Sequence, residues 1–167
     1  QRCDVLIVSI FVNPTQFNQS QDLEKYPRDL TADAAMLSEY DVDYIYAPEM
    51  DEIYPDGFST YVNVEGLTDT LAGESRPGHF RGVATIVTIL FNTIRPDHAF
   101  FGQKDAQQVA VIRRLTRDLG FEMEIVVVPT VREESGLAMS SRNERLSGEE
   151  REKATIIIEA LREAKLA

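Results

Sequence analysis

A chain of 167 residues, 43% hydrophobic and 27% charged, holds enough apolar material for one globular domain, with room for the edge of a second. Its net charge of −11 excludes a broad nucleic-acid surface, because phosphate backbones repel an acidic protein unless basic residues gather on one face. One cysteine, Cys3, excludes an internal disulfide and fits a reducing compartment. The longest apolar runs, residues 5–12 and 83–91, fall short of the ~18 residues that span a bilayer. No membrane segment or secretory signal is visible, and the expected location is cytoplasmic.

In chain order, residues 4–12 form a nearly continuous apolar run, the pattern of a central strand covered on both faces. Asn13-Pro14-Thr15-Gln16 stops it and delivers polar side chains to the strand end. A polar segment with Asp22, Tyr26 and Pro27 follows, and Leu30, Ala34 and Leu37 have helical spacing. Residues 42–47 read as the next strand, so strand, helix and strand imply a parallel crossover. Beyond Pro48 the chain leaves the main sheet, with a short alternating strand expected over residues 60–64. Residues 73–82, with two arginines, His79 and three glycines, read as a long loop, and residues 83–94 as a buried helix.

Residues 98–101 form another strand, joined through a tight glycine turn to the clearest helix, residues 105–119. Val109, Ile112, Leu115 and Leu119 make its apolar stripe, and Gly120 stops it. A further strand over residues 122–128 ends at Pro129. Alternating strands and helices make an α/β domain with a parallel sheet the economical solution. After Pro129 the pattern changes to a polar loop, then a capping box at Ser147 and Glu150 opens a helix to Ala167. A domain boundary near Thr130 is expected. The first residue is Gln1, and the last residues still read as helix, the pattern of a piece of a longer chain.

The residues fit for chemistry gather at two places. Lys104 and Asp105 stand where a strand end meets a helix N-terminus, the place in an open α/β sheet where anions bind; Asp105 alone is equally readable as an N-cap. Gln107 and Gln108 fill the first helical turn, where one amide faces the crevice and the other faces out. Met139-Ser140-Ser141-Arg142 sets two small hydroxyls beside a guanidinium, a combination suited to a polyphosphate. There is no hydrolytic triad and no Cys/His set with zinc spacing. Asp22, Asp29 and Asp33 read as a solvated face rather than a metal cage.

Taken together, five stretches resemble the pantothenate synthetase family, the pantoate beta-alanine ligases. They are Phe11-Val12-Asn13-Pro14-Thr15-Gln16-Phe17; Tyr26-Pro27-Arg28; Arg76-Pro77-Gly78-His79-Phe80; Phe101-Gly102-Gln103-Lys104-Asp105-Ala106-Gln107-Gln108; and Pro129-Thr130-Val131-Arg132-Glu133 through Met139-Ser140-Ser141-Arg142-Asn143. The resemblance runs over nearly the whole chain in one order. It implies a Rossmann-like nucleotidyltransferase fold, with residues 1–129 as the ATP- and pantoate-binding domain and residues 130–167 as the start of a small C-terminal domain. It also implies a homodimer.

The resemblance further implies that ATP and pantoate give pantoyl adenylate and pyrophosphate, after which beta-alanine displaces AMP, with Mg2+ accompanying ATP. By matching position, Gln16 and Gln108 would hold pantoate, with Asn13 beside them. Lys104, Ser140, Ser141 and Arg142 would form the catalytic set on the ATP phosphates. Gly102 and Asp105 would take the ribose, Gln103 would lie within the ATP site, and Val131 and Met139 would lie by adenine. Tyr26, Arg76 and His79 would shape the pocket. The family's His-x-Gly-His phosphate motif lies upstream of what corresponds to Gln1, so these residues alone are expected to show little ligase activity. Two rival readings are another adenylyl-transfer enzyme of the same architecture and a non-catalytic nucleotide-binding module.

Overall fold

A computed structural model describes residues 3–166, the side chain of Ser20 excepted. Two pairs of parallel strands carry the α/β architecture. Strand β1 (Ile7–Ser9) pairs with β2 (Tyr44–Tyr46), Val8 opposite Ile45. Strand β3 (His98–Gly102) pairs with β4 (Glu124–Val128), Phe100 opposite Val126. Between β1 and β2 lie the helices α1 (Ser20–Glu24) and α2 (Leu30–Leu37). The short α3 (Met50–Ile53) and α4 (Ala72–Ser75) precede the long α5 (His79–Ile94), and α6 (Ala106–Asp118) crosses from β3 to β4. Helices α7 (Gly148–Ala154) and α8 (Ile156–Leu166) close the chain.

The core is built around α5. Phe80, Val83, Ala84, Ile86, Val87 and Phe91 of that helix pack with Val111, Ile112 and Leu115 of α6 and with Ile53 and Val64. Each fully buried aliphatic side chain of this kind contributes about 1.5–3 kcal/mol, which outweighs the modest helix propensity of so many β-branched residues. Three threonines of α5 satisfy their hydroxyls inside the helix: Thr85, Thr88 and Thr93 donate to the carbonyls of Arg81, Ala84 and Ile89 at 2.7, 2.8 and 2.9 Å. Phe91 meets Phe101 and Phe121 edge-on, with centroids 6.3 and 5.5 Å apart, and so ties the helix to β3 and to the loop after α6.

Several sequence expectations change. The first strand is confined to three residues, paired among the described residues with the short β2 alone; Val5, Leu6 and Ile7 are 54%, 37% and 38% exposed rather than covered on both faces. Among the described residues β1 and β3 do not pair. A groove of about 990 Å³ separates them, floored by Val87, Leu90, Phe91 and Ile94 of α5. Residues 60–64 form no strand: the amide of Val62 donates to Thr85 Oγ1 at 3.0 Å instead of entering a ladder. The region 73–82 is largely helical rather than a long loop, and His79 and Phe80 are buried at the start of α5.

On α6 the buried stripe is Val109, Val111, Ile112, Leu115 and Thr116, whereas Leu119 is 53% exposed. The last helix is divided near Thr155, whose hydroxyl bonds the carbonyl of Glu152. The Ser147–Glu150 capping box forms as read, with bonds of 2.8 and 3.3 Å. Among the described residues no helix is long and apolar enough to cross a membrane.

Candidate active site

The first wall of the site is the turn after β1. Pro14–Gln16 form one 3-10 turn, started by Pro14 and capped by the side chain of Asn13. Asn13 is 2% exposed and every polar atom of its amide is engaged. Its Oδ1 accepts from Tyr54 Oη at 2.8 Å and Thr15 Oγ1 at 2.9 Å, and its Nδ2 donates to the Gly82 carbonyl at 3.1 Å and to Gln16 Oε1 at 3.4 Å. Asn13 therefore shapes the turn from behind. Glycine is required at 82, because a Cβ there would lie 2.6 Å from the carbonyl carbon and oxygen of Thr15. That close approach brings the N-terminal turn of α5 onto Gln16.

The second wall is the start of α5. Gly78, at φ +82°, takes the left-handed conformation that turns the chain into the helix. His79 Nδ1 lies 2.7 Å from the carbonyl oxygen of Gln16, and Arg76 Nη2 donates to the same oxygen at 3.3 Å. An oxygen can only accept, so Nδ1 carries the proton and Nε2 faces Arg76 Nη1, 3.4 Å away, as an acceptor. Burial, reinforced by the neighbouring guanidiniums, pushes the His79 pKa below its ordinary 6.5, against the bond to Gln16 and the carboxylate of Asp105. The imidazole is neutral at pH 7.

A histidine with a depressed pKa binds fewer protons folded than unfolded, so stability rises with pH. The His79 contribution is complete above about 6.5 and is lost as pH falls through the lower folded value. Urea midpoints measured between pH 8 and 5 should fall with pH in the wild type and fall less in His79→Asn, whose amide keeps a donor for Gln16. Equal pH slopes in both proteins would contradict this assignment.

The third wall is the β3–α6 junction. Gly102 ends the strand with an ordinary φ of −70°, so the predicted glycine turn is in fact a 3-10 turn over Gln103–Asp105. Asp105 makes no side-chain cap to α6, which removes the capping explanation for its presence. Gln103, Lys104 and Asp105 are all exposed, and Lys104 has no hydrogen-bond or ion-pair partner among the described residues. The two glutamines divide their work: Gln107 Oε1 accepts from the Ala72 amide at 3.0 Å, and its Nε2 donates to the carbonyls of Leu67 and Thr70 at 2.9 and 2.8 Å. Gln107 is thus a brace, whereas Gln108 is half-buried and its amide makes no side-chain hydrogen bond among the described residues.

The fourth wall comes from the polar segment after β4. Arg132 and Ala138 form an antiparallel bridge, and the Met139 amide donates to the Val131 carbonyl at 3.0 Å. Val131 and Met139 remain 62% and 58% exposed, an apolar surface rather than an enclosed pocket. Ser140 caps the 3-10 turn Ser141–Arg145, its Oγ accepting from the Arg142 amide at 3.2 Å. Asn143, 8% exposed, secures the turn from inside through Glu133 Oε1 at 2.9 Å and the Ala138 carbonyl at 3.0 Å. Arg142 reaches across the chain, 5.5 Å over the ring of Tyr26, which itself meets Phe17 edge-on at 5.5 Å.

These four walls converge. The titration of His79 responds to Arg76, Asp105 and Arg142, and that of Arg142 to Asp22, Tyr26 and Asp105, so segments far apart in sequence share one electrostatic neighbourhood. The groove between β1 and β3 contains none of the predicted site residues. The predicted site residues Arg76, His79, Asp105 and Arg142 share the charged neighbourhood instead. Sequence reading gave no role to Tyr54, Arg145 or Asn143, and Asp22 is ion-paired to Arg142 and Arg145 rather than merely solvated. Of these four only Asn143 lies inside one of the five resembling stretches; the others act through contacts that have no local pattern.

A profile of the family described as pantoate-beta-alanine ligase matches residues 1–166. The chain belongs to the pantoate-beta-alanine ligase family. It is 57% identical to the pantothenate synthetase of Acetivibrio thermocellus over 164 residues, covering 98% of this chain and 58% of that protein. It is 59% identical to the pantothenate synthetase of Thermodesulfovibrio yellowstonii over 160 residues, covering 96% and 57%. The crystal structure of the ligase from Thermus thermophilus aligns with a TM-score of 0.91 at 55% identity, over 94% of this chain and 57% of that one. The ligase from Francisella tularensis, complexed with beta-gamma ATP and beta-alanine, aligns at 0.90 and 43% identity, over 96% and 62%. The chain thus spans less than two thirds of the length of these pantoate-beta-alanine ligases.

Proposed function

We propose that this chain supplies the pantoate- and ATP-binding walls of an enzyme that joins pantoate to beta-alanine with ATP. The observation that supports the reading is that His79, hydrogen-bonded to the Gln16 carbonyl, shares one electrostatic neighbourhood with Arg76, Asp105 and Arg142. Such a neighbourhood offers amides for a small hydroxy acid and cations for phosphates. Family membership supports the pantoate and beta-alanine reading, and the Francisella tularensis complex supports ATP and beta-alanine.

In this reading the pantoate carboxylate attacks the α-phosphorus of ATP; a new P–O bond forms as the bond to the β-phosphate oxygen breaks, and pyrophosphate leaves. The amine of beta-alanine then attacks the acyl carbon, AMP departs, and the amine proton is lost to solvent. A carboxylate needs no general base, so the protein's task in the first step is positioning and charge stabilisation. Gln16 and Gln108 hold pantoate, Asn13 holds Gln16, and His79 with Arg76 fixes the Gln16 backbone. Lys104, Ser140, Ser141 and Arg142 face the phosphates, Gly102, Gln103 and Asp105 the sugar side, and Val131 and Met139 offer apolar surface to the base.

The carboxylates present do not form a metal cage: among the described residues no group of three or more His, Cys, Asp or Glu converges. Mg2+ is read as accompanying the phosphates of ATP, its usual seat in such sites. Residues 130–167 are read as the start of a second domain closing over the first, and a cytoplasmic homodimer completes the proposal. The test is product stoichiometry. A full-length enzyme carrying this sequence should release one AMP per pantothenate, only when pantoate, beta-alanine and ATP are all present, whereas residues 1–167 alone should turn over little. ADP as product, or AMP release that ignores pantoate, would sink the proposal.

A further inference from the structure

Asp22 joins two parts of the chain that sequence leaves far apart. Its Oδ2 accepts from Arg142 Nη2 at 2.7 Å and its Oδ1 from Arg145 Nη1 at 2.9 Å, and Arg145 Nη2 donates to the Lys25 carbonyl at 2.9 Å. Both arginines belong to the 3-10 turn Ser141–Arg145, while Asp22 and Lys25 belong to α1 and its C-terminal cap. The two arginine hydrogen bonds hold the Asp22 pKa below its ordinary 3.8, so the carboxylate is charged throughout the neutral range. Tyr26, four residues on, lies beneath Arg142 and against Phe17, which directly follows Gln16. The contacts therefore run without a break from the Ser-Ser-Arg turn to the turn that presents Gln16.

We infer that Asp22 is a positioning residue for the phosphate-binding arginine: it pins the Ser141–Arg145 turn to α1 and orients the Arg142 guanidinium towards the ATP phosphates. The inference rests on the reading of Arg142 given under the proposed function. Two guanidiniums three residues apart repel; one carboxylate between them removes that repulsion and leaves the pair with a net positive charge. Arg142 commits one of its five N–H donors to Asp22, and the remaining edge stays open for a bidentate grip on phosphate oxygens. A carboxylate that merely competed with phosphate would occupy that edge. Here it braces one end of the fork and shares itself with the neighbouring arginine.

Steady-state kinetics on the full-length enzyme separate the possibilities. Asp22→Asn, which keeps the shape but not the charge, should raise KM for ATP roughly 3- to 10-fold, the range for two partly exposed ion pairs, and leave KM for pantoate within about twofold. Asp22→Glu keeps the charge and should recover most of the ATP affinity. An ATP KM that is unchanged or lower in Asp22→Asn, while Arg142→Ala is still impaired, overturns the inference. Equal losses for ATP and pantoate in Asp22→Asn also overturn it, because they mark a folding role. An unchanged ATP KM in Arg142→Ala would instead overturn the phosphate reading beneath it.

Discussion

Lys104→Ala in the full-length enzyme is expected to slow adenylate formation by about 10²- to 10³-fold, the usual loss when one preorganised donor to a developing charge is removed. The side chain stands on an exposed 3-10 turn between β3 and α6 and has no partner among the described residues, so its removal leaves no buried group unpaired. Thermal stability should accordingly stay close to wild type, as for most surface substitutions. Single-turnover release of pyrophosphate reads the step directly. Because ammonium acts here as a point charge, Lys104→Arg should recover only part of the rate. Wild-type pyrophosphate release in Lys104→Ala would remove the lysine from the catalytic set.

The second large effect concerns the acid substrate. Gln108→Ala and Gln16→Ala should each raise KM for pantoate about 10- to 100-fold, since a hydrogen bond to a charged group is worth roughly 1.5–3 kcal/mol, and should affect ATP much less. The neighbouring Gln107→Ala supplies the contrast. Gln107 holds the backbone of Leu67, Thr70 and Ala72, so its loss should lower the unfolding midpoint without singling out pantoate. Substrate-resolved KM values and thermal melts on the three variants check this division. If Gln108→Ala and Gln107→Ala behave alike, the half-buried amide of Gln108 has no special claim on the substrate.

Much of this was legible in the sequence because it depends on local pattern. The helix over α6, the capping box at Ser147 and the strand that runs into Gly102 all follow from periodicity or from turn chemistry, and each formed. The motif residues were likewise readable, since their types and order carry the family resemblance. What escaped was set by partners. The run at residues 4–12 has the composition of a buried strand, but strand length depends on its neighbour, and among the described residues it pairs with the three-residue β2. Residues 73–82 look like loop because they are rich in Gly, Pro and Arg. Packing of Gly82 against Thr15 and the bond from His79 to Gln16 make the end of that stretch the first turn of a buried helix. Asp22 looked like one acid in a solvated face, and its ion pairs form only with arginines that lie 120 and 123 residues away in sequence.

In the proposed function the pantoate carboxylate attacks the α-phosphorus of ATP before any amine takes part. Isotope exchange between pyrophosphate and ATP in the full-length enzyme, with pantoate present and beta-alanine omitted, tests that order directly. Label should enter ATP only when pantoate is added, and the exchange should collapse in Lys104→Ala. Exchange that is equally fast without pantoate, or that appears only when beta-alanine is supplied, would contradict it.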